Sequence, residues 1–289
     1  VSELLMDLAD CGSPERLIQT ILRHHPDWTP PVPIEALAAA VNILEIRDLD
    51  TTSFEGALLT DPDKSQGIIL CRPGVPGGRR RFTIGHELGH FLIPTHVGNQ
   101  KCTQAHLSER GFATPAQRRE AEANRFAAGI LMPKPWFERD ADQLGLPDVG
   151  HVRKLARSYD VSLEAAANRF VELTSTPCAI VFSYGGVIRY ARSHVNFPRL
   201  AVEWKSRLPS DCATKVKPNT GVSAPSDWIE MDGTIWLQHD WGRPAPRVLE
   251  QVLRQANGYA VTMLLVADGP TDDEDEEEDD LVARWSPRL

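Results

Sequence analysis

The chain has 289 residues, of which 42% are hydrophobic and 25% charged; this is the composition of an ordinary soluble protein with enough chain for two domains. No stretch approaches the roughly 18 apolar residues of a membrane span. The formal net charge of -9 is carried by the nine acids of TDDEDEEEDD at 271–280, and the remaining acids match the 31 Lys and Arg. Such a neutral body offers no basic field, so neither an anionic membrane nor direct nucleic-acid binding is expected.

In chain order, the N-terminus VSELLMDLADCGSPERL mixes acids among leucines and has no basic stretch or small-residue cleavage site, so no secretion signal is read. Apolar residues at helix spacing (Leu4, Leu5, Leu8, then Leu17, Ile18, Ile21, Leu22) make the first thirty residues helical. Pro33 can open a helix over Ile34–Val41, followed by a strand at Ile43–Ile46 and another at Gly67–Cys71. Helical pattern returns at Arg79–Ile93 and stops at Pro94; Thr95–Pro115 then reads as a long polar connection, of the kind that is usually functional or mobile. Ala116–Leu131 is helical, as are Val149–Tyr159 and Leu163–Leu173, with Ser162 placed as a cap. Beyond Thr174 the texture turns to β: strands at Cys178–Ser183, Val187–Ala191, Thr234–Gln238 and Ala260–Val266, with one helix at Arg247–Gln255. Five cysteines, scattered and never arranged as C-x-x-C, suit reduced thiols and a cytoplasmic location.

The chemistry is concentrated in Phe82-Thr-Ile-Gly-His86-Glu87-Leu88-Gly89-His90-Phe91, an H-E-x-x-H pattern inside a helical stretch. Four helical residues rise about 6 Å and turn slightly more than once, so both imidazoles leave one face and can meet one ion. Glu87 sits beside them and can take a proton from water without being a ligand. Catalytic zinc takes three protein ligands and keeps one position open. Glu120 on the next helix supplies a carboxylate, and Asn124, one turn further on the same face, can hold a ligand histidine through a hydrogen bond.

These residues resemble the ImmA/IrrE family of bacterial metallopeptidases. The similarity is carried by Arg81–His90 (RFTIGHELGH) and by Glu120–Pro133 (EAEANRFAAGILMP), in the family's order, and is strongest over 31–173. Together with the texture of the rest of the chain, it gives an expected α+β fold: a zincin-like metallopeptidase domain with a helical bundle over 1–133, a helix-turn-helix-like module over 134–175, a small α/β C-terminal domain, a candidate sensor, over 176–268, and an acidic tail over 269–289. It further implies that zinc is held by His86, His90 and Glu120, with Glu122 as the rival third ligand. Glu87 takes the place of the catalytic glutamate, and the substrate is a DNA-binding repressor of the helix-turn-helix type, cut in a stress or mobile-element response.

On this reading Glu87 acts as general base in peptide hydrolysis, and Gly67–Cys71 is the sheet edge that receives an extended substrate. Two other functions compete. One is a catalytically idle, zinc-stabilised regulator, against which the non-ligand acid Glu87 argues. The other is a DNA-binding regulator built on 149–173, where Arg153, Lys154, Arg157 and Arg169 are balanced by Asp148, Asp160, Glu164 and Glu172. His96, His106 and Tyr159 are candidates for oxyanion stabilisation, none of them assigned. Cys102, four residues before His106, is weighed as an extra or inhibitory zinc ligand and set aside, because scattered Cys and His in loops commonly bind no metal. The tail from Thr271 onward is expected to be dispensable for folding.

Overall fold

The computed structural model describes residues 3–50, 53–96, 98, 100–103, 105–108, 113–216, 224–238, 245–255 and 258–267. The acidic run and the residues after it lie outside this set, so the expectation for the tail does too. The chain divides into two compact units, Val1–Thr176 and Pro177–Leu289.

In the first unit, helices α1 (Glu3–Ala9), α2 (Pro14–His24) and α3 (Ile34–Ala40) lead into strands β1 (Ile43–Asp48), β2 (Gly56–Thr60) and β3 (Gly67–Cys71). Helix α4 (Gly77–Leu92), the short strand β4 (Gln100–Cys102) and helix α5 (Pro115–Leu131) follow, and then α6 (Lys134–Asp142), α7 (Val149–Ser158) and α8 (Leu163–Leu173). The sheet order is β1-β3-β2-β4, with β1 parallel to β3 and the other pairs antiparallel. The strand expected at the edge, Gly67–Cys71, is therefore interior, flanked by β1 and β2. Its alternation of buried Gly67, Ile69 and Cys71 with half-buried neighbours puts one face fully on the core and leaves the other partly covered.

Helix α4 is the centre of this unit. Every residue from Thr83 to Phe91 is buried, and Ile84, Leu88 and Phe91 join Leu17, Ile21, Ile34, Leu37, Ile69 and Phe126 in one apolar cluster. A helix covered on all sides must place its polar residues where they have partners. In α4 the motif histidines His86 and His90 have them, whereas the Glu87 carboxylate has none among the described residues. Helix α5 crosses it at close range: a Cβ on Gly85 would lie 3.3 Å from the Ala127 Cα, and one on Gly89 only 3.0 Å from the Ala123 Cα. Small residues four apart on both helices allow this approach.

The second unit is an antiparallel sheet of β5 (Cys178–Tyr184), β6 (Val187–Ser193), β7 (Ile229–Met231), β8 (Val248–Arg254) and β9 (Tyr259–Val266), ordered β6-β5-β9-β8-β7. The helix predicted at Arg247–Gln255 is strand β8. Its apolar residues suit a helix face, but β8 pairs with β7 and β9, and burial from Glu250 to Leu253 overrides local preference. The strand predicted at Thr234–Gln238 is a 3₁₀ turn over Gly233–Ile235, capped by Asp232, with Leu237 making an isolated bridge to Leu200. Buried Glu250 accepts from the Ala213 and Thr214 amides, the Thr214 hydroxyl and the Trp236 indole at 2.8–3.1 Å, which offsets its desolvation.

Candidate metal centre

Three elements bring four donor atoms together. Helix α4 contributes His86 and His90 from one face. Helix α5 contributes Glu120; its start is fixed by a capping box in which Thr114 and Gln117 satisfy each other's backbone, with Pro115 in the first turn. Strand β4 contributes Cys102. The His86 and His90 Nε2 atoms are 3.1 Å apart, and the Glu120 Oε2 lies 3.3 Å and 3.5 Å from them. The Cys102 Sγ is 3.2 Å from the His86 Nε2 and 3.9 Å from the Glu120 Oε2. All four donor atoms lie within 4.8 Å of one another, and the two imidazoles and Cys102 are buried. Two imidazoles, a carboxylate and a thiol converging on one point form a donor set for a divalent metal.

The ring nitrogens facing away from this point have partners that fix which nitrogen carries the proton. Asn124 donates its amide to the His106 carbonyl at 2.8 Å, which leaves its Oδ1 to accept from the His86 Nδ1–H, also at 2.8 Å. The His86 Nε2 lone pair then faces the cluster. Behind His90 runs a longer chain, with the His90 Nδ1 3.0 Å from the His96 Nδ1 and the His96 Nε2 3.0 Å from a Glu122 carboxylate oxygen. If His96 donates to Glu122, its Nδ1 accepts from His90, and the His90 Nε2 lone pair is likewise free to face the cluster. Glu122, the rival ligand, sits at the end of this relay and outside the donor set.

Burial lowers the His90 pKa to about 4, keeping the ring neutral. Burial would raise the Glu120 carboxyl, but the His86 and His90 rings beside it outweigh burial and hold the group below the ordinary carboxylate range. Neutral imidazoles with an ionised carboxylate are the states that bind a cation. Glu87 is not one of the four donors: its carboxylate is fully buried, neither oxygen has a hydrogen-bond partner among the described residues, and burial pushes its pKa up to about 7. A carboxylate in that state is poised to exchange a proton near neutrality. Strand β2 begins against it, since a Cβ on Gly56 would meet the Glu87 Oε1 at 2.7 Å and would overlap the Thr83 methyl.

The structure thus brings together His86, His90, Glu120 and, through His86, Asn124, with Glu87 alongside. Sequence reasoning underrated Cys102, and it missed the roles of His96 and Lys64. His96 stands behind His90, and the Tyr159 hydroxyl donates to Asp140 at 2.7 Å, so neither faces the donors. Only spacing to Pro94 hinted that the residues after α4 fold back. Lys64 sends its ammonium to the carbonyls of His90, Ile93 and His96 at 2.7–3.0 Å, tying down the C-terminal end of α4. Lys64→Met should therefore cost about 1.5–3 kcal/mol, measurable by denaturant unfolding, because these are hydrogen bonds to a charged group.

The helix crossing sets the reach of Glu120. Gly89→Ala puts a methyl against the Ala123 Cα and, at 3.2 Å, its carbonyl oxygen; these are backbone atoms that cannot rotate away. The helices must separate, at a cost of about 1–3 kcal/mol for overpacking. A lower melting temperature together with weaker metal binding in a titration is the expected result.

Residues 41–171 match the family described as the IrrE N-terminal-like domain, Peptidase_M78. Among curated proteins, the chain is similar to the radiation response metalloprotease IrrE of Deinococcus radiodurans, at 29% identity over 119 residues, 40% of this chain and 34% of that protein. The chain thus aligns with about a third of the length of this relative. Among solved structures, a Mycobacterium tuberculosis transcriptional regulator superposes with a TM-score of 0.56 at 16% identity, covering 92% of this chain and 77% of the other. At that identity the likeness is one of fold. Among the described residues, no helix is long and apolar enough to cross a membrane.

Proposed function

We propose that the chain, which over residues 41–171 matches the IrrE N-terminal-like family Peptidase_M78, is a zinc-dependent endopeptidase that cuts a DNA-binding repressor of the helix-turn-helix type. The proposed ligands are His86, His90 and Glu120, Glu87 is the general base, and Asn124 orients His86. The observation that carries the reading is Glu87, a buried carboxylate with no hydrogen-bond partner among the described residues, beside converging metal donors. Its raised pKa suits a group that takes a proton and gives it back.

Zinc suits these donors, because two imidazoles, a carboxylate and a thiol are the ligand types that it takes. Zinc at this position supplies Lewis acidity, polarising the scissile carbonyl and making water acidic. The chain's own residues do the rest. Glu87 takes the proton of the attacking water and returns it to the leaving amine, while Asn124 and the His96–Glu122 pair keep both imidazole rings in register.

The idle-regulator alternative draws support from Cys102, because a site closed by four protein donors is the form that structural zinc takes. Incubating the zinc-loaded protein with candidate helix-turn-helix repressors, followed by mass analysis, separates the two. One new cut that is lost with Glu87→Gln supports the peptidase; an intact repressor in stable complex with the protein favours the regulator.

A further inference from the structure

Strand β4 raises a question that the peptidase reading leaves open. It is three residues long, lies at the end of the sheet and pairs antiparallel with β2 in the register Gly56↔Cys102, Ala57↔Lys101 and Leu58↔Gln100. The pairing runs on beyond the strand, since the Glu55 amide donates to the Cys102 carbonyl at 2.8 Å. The β2 strand it covers starts directly over the Glu87 carboxylate. The last residue of β4 is completely buried, with its thiol 3.2 Å from the His86 Nε2.

An extended peptide cut at this centre has two requirements. Its backbone needs a strand edge to pair with, and its scissile carbonyl must reach the metal beside Glu87. Strand β2 offers such an edge next to Glu87, and the donor position not taken by His86, His90 and Glu120 is the place for the carbonyl and the attacking water. Residues 100–102 fill both places: their backbone occupies the edge and the Cys102 thiol occupies the donor position.

We propose that β4 is an internal stand-in for the substrate: it covers the β2 edge on which an extended peptide pairs, and Cys102 closes the metal centre as its fourth ligand. This rests on the metallopeptidase reading. The enzyme is idle while β4 is seated, and a substrate strand must displace both the backbone pairing and the sulfur ligand. The bound form of Cys102 is a thiolate, because a coordinating thiol is deprotonated by the metal. The closed four-donor set is then the resting state of a peptidase.

Cobalt(II) makes the sulfur ligand visible. Wild-type protein loaded with cobalt should show the near-ultraviolet thiolate-to-cobalt charge-transfer absorption, and Cys102→Ser should retain cobalt without it. Acetohydroxamate, a small bidentate chelator that needs an open metal position, then reads the plug itself. If the plug is displaced in fewer than about one molecule in ten, the Ser variant should bind acetohydroxamate at least tenfold more tightly than the wild type. Hydrogen exchange at the Glu55 amide should quicken in the same variant as β4 loosens. Bound cobalt without the thiolate band, or equal acetohydroxamate affinities in the two proteins, overturns the plug and leaves the peptidase reading standing. Wild-type protein that takes up no cobalt or zinc overturns the metal reading and the plug together.

Discussion

Glu87→Gln should abolish cleavage while leaving the metal and the partner in place. The amide keeps the volume of the carboxylate but cannot take a proton from water. Loss of a positioned general base commonly costs on the order of 10²–10⁴ in rate. None of the four donor atoms belongs to Glu87, so metal analysis should give the wild-type stoichiometry. Stability should not fall, because the change removes a buried carboxylate that has no hydrogen-bond partner among the described residues. Wild-type cleavage rates in the variant would remove Glu87 from the mechanism.

The ligand set predicts a contrast between two glutamates two residues apart. Glu120→Ala and His90→Ala should each lose stoichiometric metal at micromolar protein, since each removes a donor from the cluster. Glu122→Ala should retain about one metal per chain with affinity lowered about 10–100-fold, as expected when a hydrogen-bonding partner behind a ligand is cut. The difference follows from geometry: the Glu122 carboxylate lies 3.0 Å from the His96 Nε2, whereas the Glu120 Oε2 lies 3.3 Å from the His86 Nε2. Metal analysis after gel filtration distinguishes them. Retention by Glu120→Ala with loss by Glu122→Ala would exchange their roles.

The centre was legible in the sequence wherever it depends on helical periodicity. The four-residue spacings of His86 with His90 and of Glu120 with Asn124 each fix a face, and the structure sets those faces against each other. What escaped was the part made by long-range pairing. Strand β2 (GALLT) is short and has little alternation, so even with the turn signal Asp61-Pro62-Asp63 directly after it only its pairing with β3 and β4 defines it. Strand β4, with three residues in a polar connection, carries no periodicity at all; Cys102 looked like a scattered thiol because its relation to His86 is spatial. The same limit explains β8, whose sequence VLEQVLR suits a helix until its two neighbouring strands are known.

The donors come from three elements separated along the chain, with Cys102 and Glu120 lying 16 and 34 positions after His86, so an unfolded chain holds no ready-made site. A metal bound by α4, α5 and β4 is therefore thermodynamically linked to folding. Above the dissociation constant, each tenfold increase in free metal should add about 1.4 kcal/mol to the unfolding free energy. The melting temperature then becomes a gauge of free metal, and a chelator acts as a denaturant of the first unit.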